Sequence, residues 1–100
     1  MRLDQHEIDS IQQAFMGSFL PKDQLWLFGS RVDDTKKGGD IDLYIETQET
    51  DVGDIQNMHH KFLDLLFDRI EEQKVDVVIK RPNLDLPIHQ HAQETGVQLV

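Results

Sequence analysis

One hundred residues carrying 19 Asp+Glu against 10 Lys+Arg have a formal charge of −9, which describes one small acidic unit with no room for a second domain. The absence of Cys excludes disulfides, thiolate metal sites and thiol nucleophiles, and suits a reducing, cytoplasmic setting. No apolar run approaches the roughly 20 residues of a membrane helix or the core of a signal peptide, and the acidic balance argues against direct binding to nucleic acid.

Asp4-Gln5-His6-Glu7 reads as a capping box, and Ile8, Ile11, Phe15 and Phe19 follow at helical spacing, so a first amphipathic helix is expected to run until Pro21 stops it. Leu25-Trp26-Leu27-Phe28, ended by Gly29, is a short buried strand meeting a tight turn. A polar loop from Arg31 to Gly39 follows. Ile41, Leu43 and Ile45 then alternate with Asp42, Tyr44 and Glu46 in a second strand that has one apolar and one acidic face. Thr50 or Asp51 caps a second helix of about 18 residues marked by Ile55, Met58, Phe62, Leu65, Leu66 and Ile70. Lys74-Val75-Asp76-Val77-Val78-Ile79 reads as a third strand, Pro87 to Thr95 as a short helix ended by Gly96, and Val97 to Val100 as an extended tail.

The residues that point to chemistry are Gly29-Ser30, Asp40-Ile41-Asp42 and the lone Asp76. Two Asp at i and i+2 on a strand project from the same face, their side-chain origins about 7 Å apart, within reach of a pair of divalent ions. Mg²⁺ takes such carboxylates together with water and substrate phosphates. Asp76, flanked by valines, is expected to be buried and therefore to need a cation or strong donors beside it. Gly29 lets backbone approach a phosphate, and the Ser30 hydroxyl and amide can donate to its oxygens. Arg31, Lys36 and Lys37 on the following loop could meet further phosphates, or equally could balance Asp33 and Asp34 in a solvated turn. His59-His60 and His89-Gln90-His91 lack the spacing of a metal pair and are read as surface histidines. Trp26 is expected in the core, while Tyr44 shares the acidic face.

In this order and spacing, the Gly29-Ser30, Asp40-x-Asp42 and Asp76 set resembles the nucleotidyltransferase superfamily that includes DNA polymerase beta and kanamycin nucleotidyltransferase. The length makes it most similar to the minimal nucleotidyltransferase domains often paired with a helical HEPN protein. The resemblance implies an α+β fold over residues 1–100, with a small mixed β-sheet of core strand order 1-2-3 and helices packed on one face. It also implies two Mg²⁺ ions held by Asp40, Asp42 and Asp76, and ATP held through Gly29, Ser30 and Arg31. The implied reaction moves AMP to an acceptor hydroxyl with release of pyrophosphate, and the implied role is that of an antitoxin acting on a Tyr of a HEPN-type toxin. In this chain Gly39 precedes the first Asp where many members have Ser.

Two other functions fit the residues: a binding module that neutralises a helical partner by contact, and a transferase acting on an aminoglycoside-like molecule. A wide apolar arc on the second helix, including Leu63, Leu65 and Phe67, favours a homodimer or a helical partner.

Overall fold

Asp4 opens the first helix as its pattern requires. Its Oδ1 accepts from the Glu7 amide at 2.8 Å, and Glu7 Oε1 accepts from the Asp4 amide at 3.3 Å, closing the capping box of α1 (Gln5–Met16). These are features of a computed structural model, which describes residues 3–29, 41–82 and 86–100. The helix ends at Gly17, four residues before Pro21, because the chain turns there to fold Phe19 back onto Phe15. Those two rings stack at 5.1 Å, and both meet Phe62 edge-on at 6.4 and 6.2 Å.

Phe62 belongs to α2 (Val52–Phe67), capped by the Asp51 side chain, which accepts from the Asp54 amide. The wide apolar arc of α2 is largely accommodated within the molecule: Ile55, Phe62 and Leu66 are buried, and Leu63, Leu65 and Phe67 pack half-buried against the same core.

Among the described residues four strands make the sheet: β1 (Gln24–Phe28), β2 (Ile41–Glu46), β3 (Val75–Lys80) and β4 (Val97–Gln98), in the order β3-β2-β1-β4. β1 and β2 are antiparallel with Leu27 opposite Leu43, whereas β2 and β3 are parallel with Leu43 opposite Val77. The sheet is therefore mixed, with the expected 1-2-3 core, and the tail adds β4 antiparallel to β1. Leu25, Leu27, Ile41, Leu43 and Ile45 turn to the side of α1 and α2 and are fully buried. A second clamp fixes the sheet's other end. The Asp23 carboxylate, itself buried, accepts from the Leu20 amide (3.0 Å), the Thr47 hydroxyl (2.6 Å) and the Gln48 amide (2.9 Å), tying the entry of β1 to the exit of β2.

The two long helices take one face, as expected; the short α3 (Pro87–Thr95) takes part of the other. Its Ala92 packs on Trp26 and Tyr44, and His89 stacks on Tyr44 at 5.7 Å. The reason lies in that face's composition. Trp26 and Tyr44, 5.2 Å apart, form an apolar half that water would otherwise cover, and α3 supplies the lid. Consequently Tyr44 is fully buried, its hydroxyl donating to Glu46 Oε1 at 2.6 Å, and does not line an open cleft. His89, expected at the surface, is 2% exposed, and its Nδ1 accepts from the Leu86 amide at 3.1 Å to start α3.

Candidate active site

β2 and β3 run parallel in a register that pairs Asp42 directly with Asp76. Register partners on neighbouring strands point to the same face, and adjacent strands lie about 4.8 Å apart, so the two carboxylates rise side by side from the face opposite α1 and α2. Across the other edge of β2, Asp42 is opposite Phe28, the last residue of β1, and Gly29 follows it.

Gly29 has φ +78°, a left-handed conformation that strains any residue with a Cβ. It also has no space for one: a Cβ there would collide with the Asp42 carboxylate. The turn therefore needs glycine twice over, and the room left by the missing side chain is occupied by the Asp42 oxygens. This is the first structural fact tying the Gly29 turn to an acid of β2.

Asp76 differs from expectation in one respect. Its side chain is 51% exposed, because β3 is the last of the described strands and is covered on one side only. The inference that a buried acid demanded a cation thus fails, and what relates Asp76 to Asp42 is register. A cation does stand nearby. Lys74 Nζ lies 3.9 Å from Asp76 Oδ2, with both groups open to solvent. Sequence reasoning passed over Lys74, although its place two residues before Asp76 puts it on the same face by strand periodicity. Ser30, Arg31, Lys36, Lys37 and Asp40 lie outside the described residues.

Among the described residues no group of three or more His, Asp or Glu is disposed to hold a metal ion. The Asp42–Asp76 pair offers the hard, anionic oxygens that Mg²⁺ takes, fewer than its full shell, in keeping with an ion that draws its other ligands from water and a nucleotide. The residues present fit such an ion. The histidines do not contribute: His59 and His60 stack on each other at 6.2 Å on α2, where burial first and the neighbouring His60 second hold the His59 imidazole below its ordinary value. His89 is enclosed under α3.

No described helix is long and apolar enough to cross a membrane. A comparison with curated proteins finds no significant match. The pattern of the nucleotidyltransferase domain family, in contrast, matches residues 10–95, from within α1 to the end of α3 and across both acid-bearing strands. The chain belongs to the nucleotidyltransferase domain family.

Proposed function

We propose that residues 1–100 act as one Mg²⁺-dependent nucleotidyltransferase unit that moves AMP from ATP to an acceptor hydroxyl. The observation that carries this reading is the in-register pair Asp42–Asp76 beside a glycine turn that admits no side chain, within a chain of this family. Asp42 and Asp76, together with Asp40, are the residues that would hold two Mg²⁺ ions. Bound there, the metal supplies neutralisation of the triphosphate charge and a more acidic acceptor hydroxyl.

The chain's own residues do the positioning. Gly29 and Ser30 present backbone and hydroxyl donors to the phosphates, and Arg31 adds a guanidinium that can grip two phosphate oxygens at once. Asp76 is the more exposed of the two acids. The acceptor oxygen attacks the α-phosphorus in line. One O–P bond forms, the bond to the bridging oxygen breaks with its electron pair leaving on pyrophosphate, and the hydroxyl proton passes to water or carboxylate.

A net charge of −9 favours a protein acceptor over a nucleic acid. The acceptor we assign is a Tyr hydroxyl on a HEPN-type helical partner, which makes the chain an antitoxin. The test is transfer of label from α-labelled ATP with Mg²⁺, with and without such a partner, alongside Asp42→Asn and Asp76→Asn. Label is expected on the partner and reduced roughly 100-fold or more in either variant, the order of loss on removing a charge-stabilising group. Neutralisation of a partner that persists in both variants, with no label, would replace transfer by simple binding.

A further inference from the structure

β3 ends the sheet, and no described strand lies beyond it. It is six residues long, contains no Pro, and leaves Val75, Val77, Val78 and Ile79 only half-buried. Natural edges are usually short, bulged or blocked by charge; here the charges are arranged differently. Asp76 and Lys80 sit four residues apart on one face, with Val78 between them.

From this pattern we infer that β3 pairs antiparallel with β3 of a second copy, about a two-fold axis through Val78, to give one continuous eight-stranded sheet. The register follows from parity and charge. A two-fold axis perpendicular to the sheet keeps both helical layers on the same side, so paired residues share a face and their numbers are both odd or both even. Centring on Asp76 or on Lys80 would oppose like charges. Centring on Val77 places Lys74 against Lys80, and centring on Ile79 sets Val77 against Arg81 and Val78 against Lys80, leaving Asp76 with no cation opposite. Centring on Val78 sets Asp76 opposite Lys80 twice, Val77 opposite Ile79 twice, and Val78 opposite itself. Opposite charges or apolar pairs then meet at every position of the strand except Val75, which falls opposite Arg81.

A second feature fits the same arrangement. On the α2 side a shallow cavity of about 270 Å³, lined by Val52, Ile55, Ile79 and Arg81, adjoins this edge, and Val52 is 48% exposed. In the Val78-centred register, Val75 of the second copy falls opposite Arg81, at the mouth of that cavity. The pairing also brings Lys80 of the second copy beside Asp76. The inference concerns assembly alone and does not depend on the proposed transfer reaction.

The test uses the absence of native Cys. In this register Val78→Cys puts two sulfurs across the axis at cross-strand distance, suited to a disulfide, whereas Val77→Cys and Ile79→Cys each face a residue two places away. Sedimentation equilibrium of the unmodified chain is expected to show mass rising with concentration from 11.6 kDa to twice that. Oxidation should cross-link the Val78→Cys protein at least 10-fold faster than the other two. Lys80→Glu, which opposes two acids, should shift the dimer midpoint to at least 10-fold higher concentration, while circular dichroism stays unchanged. A mass fixed at 11.6 kDa up to millimolar concentration, or equal cross-linking at all three positions, overturns the inference and leaves the edge to a different partner.

Discussion

Gly29 carries two constraints, a positive φ and a Cβ direction filled by the Asp42 carboxylate. Replacing it by Ala must distort the turn or push Asp42 aside. Gly29→Ala is expected to cost about 1–2 kcal/mol in denaturant unfolding, with nucleotidyl transfer falling more steeply than stability. A variant that keeps wild-type transfer would show that the turn and the acid are independent. The sequence made this glycine legible as a tight turn. What it did not reveal is that the space saved is first used by Asp42, since that contact joins residues on two strands whose register is not written in local pattern. Asp76 teaches the converse. Flanked by valines it reads as buried, yet burial depends on whether another strand lies beyond, and no described strand lies beyond β3.

At the scale of elements, α1, α2, β1, β2 and β3 were legible because each carries its own period and caps: Asp4 and Asp51 at helix starts, alternation in Ile41 to Glu46, and branched residues in Val75 to Ile79. The end of α1 was not, because Pro21 is a strong local stop while the actual end is set by Phe19 packing back onto Phe15 and Phe62. That aromatic group joins α1 to α2. Phe62→Ala removes its fully buried member and is expected to lower stability by about 3–5 kcal/mol, read as a drop in urea midpoint. A loss below 1 kcal/mol would mean that the helices are held mainly elsewhere. α3 was legible as a helix, but its docking onto Trp26 and Tyr44, and the burial of His89 that follows, depend on a face formed by two other strands.

For the molecule as a whole, the mixed sheet places the acids on the face left free by α1 and α2, with α3 covering only the aromatic half of it. The 1-2-3 strand core came with the family resemblance, while two-residue β4 is too short to carry a pattern of its own. In the proposed function Asp42 and Asp76 together hold the metal of a nucleotide complex. The most direct measurement is Mn²⁺ binding in the presence of a non-hydrolysable ATP analogue, followed by the loss of the free-ion electron paramagnetic resonance signal. Mn²⁺ accepts the same oxygen donors as Mg²⁺. Saturable binding by the native chain is expected to weaken roughly 10-fold or more in Asp42→Asn and in Asp76→Asn, the loss that follows when a metal site gives up one of its supporting groups. Native-like binding by both variants would contradict it.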